Sequence, residues 1–281
     1  MNERLRHALW LLRSNPVSLV ALALLALLLT LAIAGPWLVP YDPLATNTAK
    51  ALRAPSAEHW FGTDQLGRDV FSRVVAATRL DLSIAFSAVT LSLAVGATAG
   101  AAIGYFGGFA DTATSRLVDV LMAFPLFVLA MAMVAALGNS VSSVVIATAV
   151  INLPFYIRLA RAETRVRRHL GYIEAARIGG AGHWRILRVF LAPAIAPPLM
   201  VQASLNLGWA VLNAAGLSFI GLGVRAPTPE WGVMVAEGAQ FITSGRWWLA
   251  AFPGLALMLA VFAFNLLGDS LRDIVDPRSR T

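Results

Sequence analysis

The chain has 281 residues, of which 58% are hydrophobic and 13% charged, with a mean hydropathy of +0.71. These values exclude an ordinary soluble domain and point to a polytopic membrane protein. The net charge of +7 rests on 22 basic residues, with Lys50 the single lysine, and the long apolar stretches between them favour a membrane surface over nucleic acid as partner. Without cysteine there can be no disulfide, thiolate metal site or cysteine nucleophile.

Arg4, Arg6 and Arg13 precede an apolar run from Val17 to Ala34 that ends in a signal-peptidase-like Ala32-Ile33-Ala34. The run approaches the ~20 residues that cross a bilayer, so an uncleaved signal-anchor is expected. Six stretches are long and apolar enough to span: about 17–39, 82–105, 117–137, 141–160, 196–221 and 248–268. Hydrocarbon forces each to satisfy its own backbone, which makes them helices and the fold class all-α. In the second, Gly96 and Gly100 form a GxxxG pair suited to close helix contact.

Basic residues number 3 in 1–16, 1 in 106–116, 8 in 158–190 and 3 in the tail, against 5 in 40–81 and 2 in 222–247. This bias places both termini and the 158–190 segment in the cytoplasm. The first outer loop carries FGTDQLGRDVFSR at 61–73, which suits a structured turn and an amphipathic lead into the second span, or a solvated loop with local Asp–Arg pairs, the reading favoured by residue physics alone. The last outer loop, 221–247, holds Trp231 and Trp247, which suit a headgroup-level position, a gate or a partner contact.

Several chemistries are missing. A GxxxxGK[ST] phosphate loop cannot be built around Lys50, so the chain is not expected to hydrolyse ATP. His7, His59, His169 and His183 lack metal-ligand spacing, and Ser218 lacks the closing glycine of a nucleophile elbow. No catalytic site, metal site or bound cofactor is therefore expected. Asp119 and Asp269 lie near span ends, where pairing with Arg116 or Arg272 is expected over a proton relay. Asn152, Gln202, Asn206, Asn213 and Asn265 either bond across helices or line a polar path, with Asn206, Asn213 and Asn265 the candidates for the path.

The insertion after the fourth span is the most informative stretch. Arg158, Arg161, Arg165 and Arg168 fall on one side of a helix, which suits anionic lipid. A short helix over Tyr172-Ile173-Glu174-Ala175-Ala176-Arg177-Ile178 is expected to break at Gly179, Gly180 and Gly182, and a second short helix to stop near Pro193. Such a small-faced helix pair fits a groove on another protein or rests on lipid.

Glu174-Ala175-Ala176, with Gly180 six residues after the Glu and Pro193 nineteen after it, resembles the EAA loop of ABC importer permeases. GYFGG at 104–108, AFP at 123–125, LSFIGLG at 217–223, PEWG at 229–232, AFNLLGDSLRDIVDPR at 263–278 and the 61–73 block resemble the C-type permeases of dipeptide/oligopeptide and nickel importers. Asn213 stands where many members of that family carry Glu. The resemblance implies six transmembrane helices: a cytoplasmic segment 1–16, a first transmembrane helix 17–39, an extracytoplasmic loop 40–81, a permease core 82–268 containing the EAA loop 161–193, and a cytoplasmic tail 269–281. It implies ATPase coupling through Tyr172, Glu174, Ala175, Ala176, Gly179, Gly180, Gly182 and Pro193. It also implies a homologous permease, two ABC ATPase subunits binding ATP and magnesium, an extracytoplasmic solute-binding protein, and residence in the bacterial inner membrane. A self-sufficient secondary transporter or channel is the alternative.

Overall fold

A computed structural model describes residues 16–275, with side chains to Asp273; the rest of segment 1–16 and of the tail lies outside the described residues. The described chain is helical throughout apart from turns and one isolated bridge between Thr63 and Asp69. Five helices are long and apolar enough to cross a membrane: α1 (Pro16–Leu38), α2 (Val70–Phe106), α5 (Val141–Arg167), α7 (His183–Phe219) and α9 (Trp248–Val275). The third stretch read from the sequence, 117–137, is divided between α3 (Gly108–Ala123) and α4 (Leu126–Leu137), which meet at 90° and make a sixth span if the bent pair counts as one. Pro125 causes the break, because a proline drives the residue before it out of the helical region, and Phe124 is extended at φ −84°, ψ 146°. Two short helices, α6 (Gly171–Ile178) and α8 (Trp231–Ala239), complete the set.

At 37 residues α2 is ~55 Å long, well beyond the ~30 Å of hydrocarbon. It starts twelve residues before the predicted span because Asp69 caps it, accepting from Ser72 N at 2.8 Å and Ser72 Oγ at 2.7 Å. His59 Nδ1, 2.8 Å from the other Asp69 oxygen, fixes that cap to the preceding loop. The loop is itself ordered around Thr63, whose hydroxyl accepts from Arg53 N and donates to Lys50 O. Gly67 makes its closure possible, since a Cβ there would lie 1.8 Å from Asn47 O.

Packing between α2 and α5 forms the bundle's spine. Added Cβ atoms would lie 2.7 Å from Tyr156 Cβ at Gly96, 2.5 Å from Ile157 O at Gly100 and 2.7 Å from Arg161 O at Gly104. The GxxxG pair is thus a three-glycine seam on which α5 lies backbone to backbone. The main core gathers Tyr156, Trp231, Trp248 and Phe264 from α5, α8 and α9. A second cluster fills the space beside α4, and a third, around Tyr105, Ile173, Ile186 and Leu191, closes the end where α6 sits.

Two further readings are corrected. Pro193 does not end a helix: α7 runs through it, and through Pro197 and Pro198, to Phe219. The π-helical stretch Ile186–Leu191 precedes the prolines and shifts the hydrogen-bond register ahead of them, so Pro193 lies at the start of the regular α portion, where a missing N–H costs little. Trp231 is not at headgroup level but buried, its Nε1 donating to Val74 O at 3.0 Å, whereas Trp247 stays exposed.

Candidate functional site

The arginine face of α5 is engaged by protein rather than left for lipid. α3 folds back beneath α5 and presents two carboxylates, Asp111 and Asp119, about two turns apart on one side. Arg161 makes a two-pronged pair with Asp111, its Nη2 2.9 Å from Oδ2, and Arg165 reaches the same carboxylate at 3.6 Å. Arg158 meets Asp119 at 2.6 Å, so that carboxylate is paired across helices and not with Arg116 or Arg272. Arg168 Nη1 donates to Gly104 O and Tyr105 O, both at 3.1 Å, capping the last carbonyls of α2.

These contacts fix the platform from which α6 projects. Ile173 is the buried residue of α6 and packs with Tyr105, Ile186, Leu187 and Leu191. Tyr172, Glu174 and Ala175 are exposed on its other faces, and Ala176 is half-buried. The helix ends with Ala181 N bonded to Ala176 O at 2.9 Å and Gly180 N to Arg177 O at 3.0 Å, the paired bonds of a Schellman stop. Gly180 supplies the positive φ, +80°, that this stop requires, while Gly179 and Gly182 keep negative φ. Beside the bend, Ile178 is 89% exposed and Trp184 73% exposed, two large apolar side chains on a projecting, otherwise polar element.

Sequence reasoning used GYFGG only as a block of resemblance and gave Tyr105 no role. Its hydroxyl lies 3.0 Å from His183 Nδ1, and Arg177 stands over its ring at 5.4 Å. One buried side chain at the end of α2 therefore touches both α6 and the start of α7.

Asn206 and Asn213 come together in a cavity of about 330 Å³ bounded by α4, α5 and α7, with Asn152 and Gln202. Gln202 Nε2 donates to Asn206 Oδ1 at 2.9 Å, Asn152 Nδ2 to Thr148 O and Asn213 Nδ2 to Trp209 O, both at 2.8 Å. Asn206 Nδ2 is buried beside the equally buried Tyr156 hydroxyl. The cavity wall carries amides, aromatics and aliphatics and no charge. Asn265 is absent from that wall; it lies on α9, beside Gly208.

At the opposite end from α6 the Asp–Arg pairs of the 61–73 block are buried. Arg68 Nε meets Asp64 Oδ2 at 2.6 Å, and Glu237 of α8 receives Arg68 at 3.4 Å and Arg73 at 3.8 Å. With Arg68 2% and Arg73 1% exposed, this is a paired internal network rather than a solvated loop.

Residues 93–281 match the family described as the binding-protein-dependent transport system inner membrane component. The chain belongs to that family. Residues 4–55 match the N-terminal transmembrane domain of oligopeptide transport permease C. Among relatives, a nickel transport system permease of Escherichia coli (strain K12) is 44% identical over 92% of this chain and 93% of its own. A dipeptide transport system permease of Alkalihalophilus pseudofirmus is 42% identical over 98% and 90%, and a probable D,D-dipeptide transport system permease of E. coli (strain K12) is 41% identical over 96% and 90%. This permease is thus a multi-pass inner membrane component of a binding-protein-dependent transport system.

Proposed function

We propose that this permease forms half of the translocation path of an ATP-driven importer for dipeptides, oligopeptides or a related small solute. A homologous permease supplies the other half, two ABC ATPase subunits bind ATP and magnesium, and an extracytoplasmic protein delivers the solute. The chain itself carries out no hydrolysis. The observation that carries this reading is α6: an eight-residue helix anchored by one buried side chain, Ile173, with Tyr172, Glu174, Ala175 and Ile178 turned outward. A helix held at one point and exposed elsewhere is built to lie in a partner's groove. Its anchor meets Tyr105, so displacement of α6 by a closing ATPase reaches α2 and α7 through one contact. Coupling of this kind requires that the two transport states contact the ATPase differently, with reciprocal effects on ATP and solute.

The cavity at Asn206 and Asn213 is the candidate path. Its uncharged amides offer donors and acceptors to a solute's peptide groups without holding it by charge. Asn265 belongs to the path only if solute also passes along α9.

Because this chain lacks cysteine, single cysteines placed in it report without background from the chain itself. Ala175→Cys should crosslink to the ATPase subunit in the assembled complex and react with membrane-impermeant thiol reagents only from the cytoplasmic side. Modification from the outside, or solute uptake by this chain without ATPase subunits, would refute the assignment in favour of a self-sufficient carrier.

A further inference from the structure

Two carboxyl groups outside the sites above are buried against each other. Asp81 lies on α2 and Glu230 immediately precedes α8; both are buried, and their side chains are hydrogen-bond neighbours. Asp81 Oδ2 accepts from Trp231 N at 3.1 Å, and Glu230 Oε2 accepts from Val233 N at 2.7 Å. Glu230 Oε1 is equally buried, with the Ser218 hydroxyl and Gly232 N–H beside the carboxyl. The two buried arginines among the described residues, Arg68 and Arg73, are paired with Asp64 and Glu237. Around the pair, α7 contributes Ser218, whose hydroxyl accepts from Val224 N at 3.2 Å and keeps its own proton to donate to Glu230, and α9 contributes Trp248, Leu249, Ala260, Ala263 and Phe264 to the core that holds Trp231. Arg79 and Arg225 are exposed.

Two carboxylates cannot both be ionised side by side in an apolar interior without a counter-charge, and a hydrogen bond between them needs a proton. We propose that Asp81 and Glu230 bind one proton between them and that this proton latches α8 onto α2. Removing it leaves two facing anions and drives α8 away from the α2 backbone that Trp231 now caps.

Burial is also the main cause that pushes the Glu230 carboxyl above its ordinary range. The folded state then binds the proton more tightly than the unfolded one. The latch is complete below the ordinary glutamate pKa and is lost as pH rises through the higher folded-state value.

The test uses the full chain in its assembled complex, in lipid nanodiscs. Infrared difference spectra of the wild type should show one protonated-carboxyl C=O band, absent in Asp81→Asn and in Glu230→Gln, where an amide N–H replaces the shared proton. Hydrogen exchange of residues 231–239 should lose protection in the wild type at alkaline pH, beyond the intrinsic rise in exchange rate, and should keep it in Asp81→Asn. A wild type without the protonated band would overturn the proposal, as would an identical alkaline loss of protection in Asp81→Asn. If Asp81→Asn fails to assemble, the wild-type band and Glu230→Gln decide the matter alone.

Discussion

Replacing Gly100 by alanine tests the seam that joins α2 to α5. The new methyl would stand 2.5 Å from Ile157 O, 2.9 Å from Ala160 Cβ and 3.0 Å from Ile157 Cα, whereas ordinary contact begins near 3.4 Å. The nearest obstacle is backbone, with no side chain to swing aside, so the helices must part by roughly 0.9 Å. Overpacking of this kind costs about 1–3 kcal/mol. A mid-range value lowers the unfolding midpoint by roughly 3–4 °C for a chain of 281 residues. Gly254→Ala is the matched control: it lies in α9, an added Cβ meets nothing within 4 Å, and helix propensity alone favours alanine by about 0.5–1 kcal/mol. Thermal unfolding in one detergent should place Gly100→Ala below the wild type and Gly254→Ala at or above it. A Gly100→Ala midpoint equal to or above that of the wild type would show that α2 and α5 are not in backbone contact there.

The other expectations concern the two functional regions. Gly180→Ala forces a methyl-bearing residue to φ +80° in open space, so it should cost about 1–2 kcal/mol locally and raise hydrogen exchange in α6, whereas Gly179→Ala should leave exchange unchanged. Tyr105→Phe removes the bond to His183 while keeping the ring under Arg177, and should destabilise by about 1 kcal/mol in chemical unfolding. Arg161→Lys cannot reproduce the two-pronged grip on Asp111, so it should resemble Arg161→Ala in thermal unfolding, with a loss of at most about 1 kcal/mol at this partly exposed pair. Asn206→Leu should cut solute uptake in proteoliposomes while leaving basal ATP hydrolysis of the complex intact; undiminished uptake would remove the cavity from the path.

What the sequence made legible was local or periodic. Spacing exposed Gly96 and Gly100, and the α6 helix emerged from a seven-residue run bounded by glycines. What it hid depended on partners distant in the chain. Arg68 and Arg73 look like loop charges until Glu237, more than 160 residues on, is placed beside them. Arg161 looks lipid-facing until α3 turns back at Gly107 and Gly108, both at positive φ, and brings Asp111 under it. Hydropathy placed Trp231 at an interface because burial of its N–H needs Val74 O, which no one-dimensional pattern reveals. Pro125 and Pro193 show the same limit in opposite senses. Pro125 broke a stretch that looked continuous, and Pro193 failed to stop a helix because a π-helical register lay ahead of it. Within the cavity, Asn206 and Asn213 share a face of α7 seven residues apart, whereas Asn265 sits on another helix whose placement only the fold supplies.

The central claim is that the exposed face of α6 carries the energy of ATP hydrolysis into the bundle. The most direct measurement is solute-stimulated ATP hydrolysis by reconstituted complexes carrying Glu174→Arg or Ala175→Trp, isolated through a tag on the ATPase so that only assembled complexes are assayed. Ala175 serves better than half-buried Ala176, whose enlargement would disturb α6 itself. Stimulation by solute-loaded binding protein should fall to the basal rate in both variants while the unfolding midpoint of the permease stays unchanged. Full stimulation in both, in complexes of normal composition, would contradict the account.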